Sequence, residues 1–288
     1  MPAYNFIEDI LRPYIRETSS DKRLSTQKVE SVCCGHLEGF FRGYVICLGD
    51  KRKTINGSIV RAYREQRKQS GVSPLTVKRE LAVASKATNY AITEWDYEIM
   101  NPFDKRLISD RDSRAVRNVI RKRVVTPQEE IKLLTASEPD LQDIIVFAIN
   151  TGLRLGEIVN LRWSQIVEDE IHFTPDEQKN GKFGKRGLNT RASKIVSRQS
   201  KNCEFVFSLN GKRLDLRRLQ KRFAKARDKA GLPDVKFKDL RKTCGSRILA
   251  VGRMEDVKTQ LGHSDIRTPQ LHYAEDSIES AKAVLEAI

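Results

Sequence analysis

Cysteine is scarce in this 288-residue chain, and the five present (Cys33, Cys34, Cys47, Cys203, Cys244) are odd in number and form no C-x-x-C pair. They read as small buried hydrophobes of a reducing compartment, which excludes a disulfide framework. Only four histidines accompany them, and none has the spacing of a zinc site. No run of about 18 apolar residues exists to span a bilayer. The opening Met1-Pro2-Ala3-Tyr4-Asn5 starts no signal peptide, because Glu8, Asp9 and Arg12 interrupt any apolar stretch. The chain is therefore expected in the cytoplasm. A G-x-x-x-x-G-K-[ST] string is missing, so nucleotide hydrolysis is not expected. Carboxylates are not clustered either: Glu157, Asp239, Asp265 and Glu275 stand singly, whereas a two-metal nuclease needs them grouped. Neither a metal nor a cofactor is expected, and there is no internal repeat.

Positive charge, by contrast, is abundant. The chain carries 53 Lys+Arg against 38 Asp+Glu, a formal net charge of +15. Such an excess points to a polyanionic partner, with nucleic acid the first candidate. The length favours two domains over one. Residues 1–106 read as a small helical bundle. Phe6, Ile7, Ile10, Leu11 and Ile15 lie at helical spacing; Ser25-Thr26 can cap a second helix, and Asn56 opens a third. A long fourth helix follows Ser73-Pro74 and packs on Leu81, Ala84, Ala87 and Ala91, until Asn101-Pro102 ends the series.

Residues 107–125 form a basic linker. Arg111, Arg114, Arg117, Arg121, Lys122 and Arg123 face only Asp110 and Asp112, and Arg114, Arg117 and Arg121 would share one helix face. Contact with phosphates is expected there. Thr126-Pro127-Gln128-Glu129 then starts a helix, with a cap residue, a first-turn proline and first-turn carboxylates. It opens a second domain, 126–288. Within it, Glu157 to Trp163 reads as helix and Glu170–Phe173 as a strand. Asn180-Gly181 reads as a turn, Lys194-Ile195-Val196 as the partner strand and Phe205-Val206-Phe207 as a third strand. From Asp215 helix returns. The expected class is mainly α, with an α+β second domain holding a small antiparallel sheet.

The chemistry concentrates in that second domain. In Thr151-Gly152-Leu153-Arg154-Leu155-Gly156-Glu157, glycines two before and two after Arg154 let the backbone bend and approach a ligand. Arginine is suited to hold a phosphate in bidentate geometry. Three further strings follow: Lys238-Asp239-Leu240-Arg241-Lys242-Thr243, Leu261-Gly262-His263-Ser264 and Thr268-Pro269-Gln270-Leu271-His272-Tyr273. Metal-free phosphodiester cleavage needs a nucleophile, cations for the transition-state charge and an acid for the leaving oxygen. Two arginines, a lysine, a histidine and a tyrosine meet those needs.

These strings resemble the tyrosine recombinase (phage integrase) family, which has a T-G-x-R-x-x-E box, a lysine on a β-hairpin, an H-x-L-R box, an L-G-H box and a tyrosine soon after. The resemblance is strong over 126–288; the helical N-terminal part is more loosely similar to the family's core-binding domain. It implies a site-specific DNA recombinase whose Tyr273 attacks the scissile phosphate to give a 3′-phosphotyrosyl bond. Arg154 and Arg241 would hold the non-bridging oxygens, His263 would hydrogen-bond the same phosphate, and Lys179 would be the general acid, with Lys182 and Lys185 as neighbouring alternatives. Lys238 stands where the family usually has histidine, which leaves the base for the tyrosine open. The His263–Tyr273 interval is one residue longer than is common, so that His272 occupies the usual slot. The resemblance also implies double-stranded DNA sites as partners, assembly into a tetramer through a C-terminal helix (Ile278 to Ile288) donated to a neighbour, accessory DNA-bending proteins, and no membrane. No separate arm-binding domain is expected before residue 5. Two other readings stay open: a DNA-binding protein of this fold without catalysis, and a type IB topoisomerase-like or telomere-resolving enzyme.

Overall fold

The computed structural model describes residues 2–47, 53–103, 121–178 and 181–262. The chain divides into two compact units, Met1–Val119 and Ile120–Ile288. The fold is mainly α, as expected from the sequence.

The first unit begins with strand β1 (Ala3–Asn5), a π-helical turn (Phe6–Leu11) and α1 (Arg12–Thr18), followed by α2 (Leu24–Phe41), β2 (Val45–Cys47), α3 (Gly57–Gln69) and α4 (Pro74–Glu94). Side-chain caps fix several starts. Asn5 Oδ1 accepts from Ile7 N and Glu8 N, Asn56 Oδ1 from Ser58 N and Ile59 N, and Ser73 Oγ from Thr76 N. The second helix starts at Leu24, ahead of the expected Ser25-Thr26 cap, and has no side-chain cap. The antiparallel pair β1–β2 was not foreseen, since three-residue strands carry too little pattern to be read.

Phe6, Phe41, Tyr63 and Phe103 meet in the core, and Leu81, Ala84, Ala87 and Ala91 give α4 its packing face. Glu30 and Glu80 are buried carboxylates of this unit, and Glu80, 1% exposed, accepts from Tyr63 Oη (2.7 Å), Arg67 Nε (3.0 Å) and Arg67 Nη2 (2.6 Å). Burial by itself would raise its pKa. The hydrogen bonds from Arg67 and Tyr63 outweigh that and hold it below the ordinary 4.5.

The second unit holds α5 (Pro127–Thr135), α6 (Pro139–Thr151), α7 (Leu155–Val159), a 3-10 turn (Trp163–Gln165), β3 (Ile166–Val167), β4 (Glu170–Phe173), β5 (Gly184–Gly187), α8 (Thr190–Ser197), β6 (Ser208–Leu209), β7 (Lys212–Arg213), α9 (Leu216–Lys229), α10 (Phe237–Leu249) and α11 (Met254–Leu261). The expected capping box is formed at Thr126, with Glu129 reaching back to its backbone N–H. Val125 is buried in this unit's core and donates its N–H to Thr243 Oγ1, so residues 121–125 pack with the second domain.

The sheet is antiparallel in the order β3-β4-β5, with Glu170 opposite Gly187, Ile171 opposite Arg186 and Phe173 opposite Gly184. The partner of β4 is thus Gly184–Gly187, and Lys194–Val196, expected as a strand, lies in helix α8. Asn189 Oδ1 caps α8 at Ala192 N, and Ala192, Ile195 and Val196 bury one face. Phe205–Phe207 makes an isolated bridge, Phe205 opposite Arg162 with Val206 N on Leu161 O, rather than a third strand of the sheet. The helix expected over Glu157–Trp163 stops at Val159.

Replacing Glu80 by alanine leaves Arg67 and Tyr63 without their acceptor and is expected to lower stability by about 3 kcal/mol. Because the folded pKa is depressed, that stabilisation is present above pH 4.5 and lost as pH falls through the folded value. Urea midpoints of wild type and Glu80→Ala should therefore converge on acidification.

Candidate active site

The apolar helix α6 ends at Thr151, whose hydroxyl donates to Phe147 O at 2.7 Å. Gly152 then takes a left-handed conformation (φ 69°) and closes the helix with its N–H on Ala148 O. A side chain is excluded there twice. The positive φ disfavours it, and a Cβ would overlap Leu261 Cδ2 and lie 3.1 Å from Cys244 Sγ. Through this bare turn α6, α10 and α11 come together.

Arg154 follows as the residue before α7. Glu157 accepts from its backbone N–H (2.8 Å) and from its Nη1 (2.7 Å), so one carboxylate caps the helix and orients the guanidinium. The Arg154 side chain remains 44% exposed, against 14% for Glu157. The cation therefore faces solvent from a fixed base.

Arg241, on the first turns of α10, donates Nη1 to Gly152 O at 2.7 Å and Nη2 to Leu261 O. The second-box arginine is thereby attached to the turn that precedes Arg154 and to the last residue of α11. Gly262 caps α11 with φ 62°, and His263 is the next residue in sequence. Thus the Thr151–Glu157 box, the Lys238–Thr243 box and the start of the Leu261-Gly262-His263 box, far apart in sequence, assemble around Gly152. Lys179, His263, Tyr273, Arg114 and Arg117 lie outside the described residues, as does the C-terminal segment Ile278 to Ile288.

Lys238 is exposed one turn before Arg241 on α10. Lys242 is half-buried, and its Nζ has no hydrogen-bond partner among the described residues. Burial pushes its pKa down; Asp239 opposes that, while Lys238, Arg121 and Lys122 push it further down. On the hairpin, Lys185 is held at 2.9 Å by Glu170, which His172 also contacts.

Two linker arginines have partners within this unit. Arg121 grips the fully buried Asp239 through Nε (3.0 Å) and Nη2 (2.8 Å), and Asp239 also caps α10 at Lys236 N. Arg123 binds Glu129 through Nη1 (2.8 Å) and Nη2 (2.6 Å), and Asp234 through Nε (2.8 Å). The Arg123 bonds hold the Glu129 carboxyl down at about 2. These contacts order the base of α10; Arg121 and Arg123 are not solvent-facing cations in the manner of Arg154. Sequence reading did not find this, because a partner over a hundred positions away leaves no local signal. A different surface offers open charge: Arg217, Arg218, Lys221 and Lys225 are exposed on α9, opposite its buried Leu219, Phe223 and Ala226. Among the described residues no group of His, Cys, Asp or Glu could hold a metal ion, and no helix is long and apolar enough to cross a membrane.

The architecture and these boxes have counterparts in known proteins. Residues 123–279 match the sequence model of the phage integrase family. The integrase of Salmonella phage P22 is 25% identical over 218 residues, covering 68% of this chain and 55% of that protein. A shufflon-specific DNA recombinase of Escherichia coli is 28% identical over 268 residues, covering 84% of this chain and 65% of that protein. The chain thus spans between about half and two thirds of these curated relatives. Among solved structures, the Tn1549 transposon integrase in complex with a circular intermediate DNA superposes with a TM-score of 0.71 at 20% identity, covering 96% of this chain and 99% of that one. A lambda integrase dimer bound to a COC′ core site gives a TM-score of 0.70 at 18% identity, covering 91% and 75%.

Gly152→Ala is expected to destabilise the second unit by roughly 2–4 kcal/mol, from left-handed strain and overpacking against the fully buried Leu261. A melting temperature within one degree of wild type would refute the steric role given to this glycine.

Proposed function

The chain belongs to the phage integrase family, and from that premise we propose that it is a site-specific DNA recombinase that breaks and rejoins strands through a 3′-phosphotyrosyl intermediate. The observation that carries this reading is the Arg241 guanidinium on the Gly152 carbonyl, which brings the second-box arginine to the turn that presents Arg154. Two cations so disposed suit the two non-bridging oxygens of one phosphate, where transition-state charge develops.

In the proposed reaction the Tyr273 hydroxyl releases its proton to solvent as its oxygen attacks phosphorus, and the bond to the 5′-oxygen breaks. Lys179 gives its proton to the leaving 5′-oxygen, and His263 donates a hydrogen bond to the phosphate. Lys238, one turn from Arg241, adds positive charge beside the site. The phosphotyrosyl ester keeps the energy of the broken bond, so attack by a 5′-hydroxyl reseals the strand without a nucleotide. Arg114, Arg117 and Lys122, with the exposed face of α9, would contact phosphates flanking the cleaved position. Arg121 and Arg123 would contribute chiefly by holding the base of α10. The DNA-bound integrase dimer supports self-association on paired sites, with a tetramer assembled through residues Ile278 to Ile288 as the working form. Accessory DNA-bending proteins would serve such an assembly, which would act in the cytoplasm, on the nucleoid.

A nicked suicide duplex tests the reading, since loss of the short cleaved strand traps any covalent intermediate. Wild type should accumulate a covalent protein–DNA complex that Tyr273→Phe abolishes; DNA binding by both with trapping by neither would show a non-catalytic protein. Arg154→Ala should slow trapping by about 10²-fold or more. It should leave the melting temperature nearly unchanged, because a half-exposed ion pair stabilises by less than about 1 kcal/mol. Lys238→His should cleave within about tenfold of wild type, consistent with a phosphate-facing donor; complete loss would give the lysine a role of its own.

A further inference from the structure

Strand β5 pairs with β4 along one edge, and its other edge is met by a side chain. Gly187 N donates to Gln260 Oε1 and Gly187 O accepts from Gln260 Nε2, both at 3.0 Å. The glutamine amide thus exchanges two hydrogen bonds with one residue, as a neighbouring strand would. The same Nε2 donates to Thr151 O at 3.0 Å, one residue before Gly152. A single side chain on α11 therefore joins the hairpin to the turn that presents Arg154.

One position earlier on β5 stands Arg186. Side chains alternate along a strand, so Lys185 lies on the outer face with Glu170 while Arg186, opposite Ile171, enters the inner face. Arg186 is 3% exposed, yet it makes no ion pair among the described residues, and its Nε has no hydrogen-bond partner there. Burying a cation that has no ion pair among the described residues, with the Glu157 carboxylate acting on it only through space, is costly, which argues against a purely stabilising role. The guanidinium lies over the Phe173 ring, donates from Nη1 to Lys185 O (2.6 Å), and donates from Nη2 to Gln178 Oε1 (3.2 Å). It also packs on Gly262, where any Cβ would overlap it. Its two far contacts are therefore the residue before Lys179 and the residue before His263.

We propose that Arg186 and Gln260 form a latch that positions the β4–β5 hairpin, and with it the proposed general-acid lysine, against the Gly262 end of α11 and the Arg154 turn. The inference rests on the recombinase reading above and gives these residues a role no motif assigns them. Arg186 and Gln260 are positioning residues: they act through Gln178, Gly187 and Gly262 on groups that meet the DNA.

A leaving group that needs no proton isolates this role. In a nicked suicide duplex with sulfur in place of the bridging 5′-oxygen, Tyr273 attack breaks the phosphorus–sulfur bond. The sulfur departs as thiolate, whose basicity is low enough that no general acid is required. Lys179→Met sets the benchmark, slow on the oxygen duplex and restored on the sulfur duplex. Arg186→Met should lose about 10²-fold in trapping rate on the oxygen duplex, the scale expected for a misplaced catalytic group. On the sulfur duplex it should return to within about threefold of wild type. Gln260→Ala should follow the same pattern with a smaller loss, and it decides the matter if Arg186→Met fails to fold. Arg154→Ala, acting on the non-bridging oxygens, should remain slow on both. Equal losses on both duplexes for the latch variants, or none on the oxygen duplex, would overturn the latch while the relieved benchmark left the recombinase reading standing. A benchmark that sulfur does not relieve would remove the lysine's acid role and the latch's purpose together. Failure of wild type to trap either duplex would overturn the recombinase reading itself.

Discussion

Arg241 makes two hydrogen bonds on which the rest of the second domain's site depends. One goes to the carbonyl of Gly152, the other to the carbonyl of Leu261. Both acceptors are helix-terminal carbonyls, which would otherwise lack partners and carry the negative end of their helix dipoles. A guanidinium placed between two such ends satisfies both and is itself fixed in orientation. The arrangement requires the two helices to approach closely, and only a residue without Cβ allows that at position 152. Backbone sterics, helix capping and the placing of the Arg241 cation are here one constraint, which links a glycine and an arginine that stand far apart in sequence.

Charge in this protein divides by function in a way the net value conceals. Arg67, Arg121, Arg123, Arg222 and Arg247 each hold carboxylates inside their own unit. Their role is architectural, and they add little to the field felt by a distant polyanion. Arg154 and the outer face of α9 keep their charge toward solvent. Arg186 belongs to neither group, since it is buried and makes no ion pair among the described residues. A positive total thus points to a polyanionic class of partner but does not indicate which cations would meet it.

Much of the fold was legible because its signals are local. The Thr126 capping box, the Asn56 and Ser73 caps and the alanine face of α4 are each readable within a few residues, and the structure contains all of them. The arginine boxes were legible through a family likeness, and the structure brings the described parts of them to one turn. Failures came where long-range packing overrides local preference. Ile195-Val196 has the composition of a strand but becomes helical under the Asn189 cap, while the glycine- and lysine-rich Gly184–Gly187 becomes the strand because β4 supplies its partner. Asp239 looked like an isolated carboxylate because its partner, Arg121, sits in what reads as a linker. Gln260 gave no signal at all, since a glutamine that completes a sheet edge is indistinguishable in sequence from one that faces water.

Under the proposed function, the Arg154–Glu157 pair has a consequence for encounter with DNA. A free arginine side chain gives up about 1.5–2 kcal/mol of rotamer entropy when it is immobilised. Here the carboxylate imposes much of that order while the protein is still alone, so less remains to be lost when a phosphate arrives. The same carboxylate cancels much of the arginine's long-range field, which weakens its pull on DNA at a distance. Recruitment of DNA would then be left to the α9 face and the net charge, with strong dependence on ionic strength. In the proposed reaction Arg154 would act only at contact range, where geometry rather than attraction would decide the outcome.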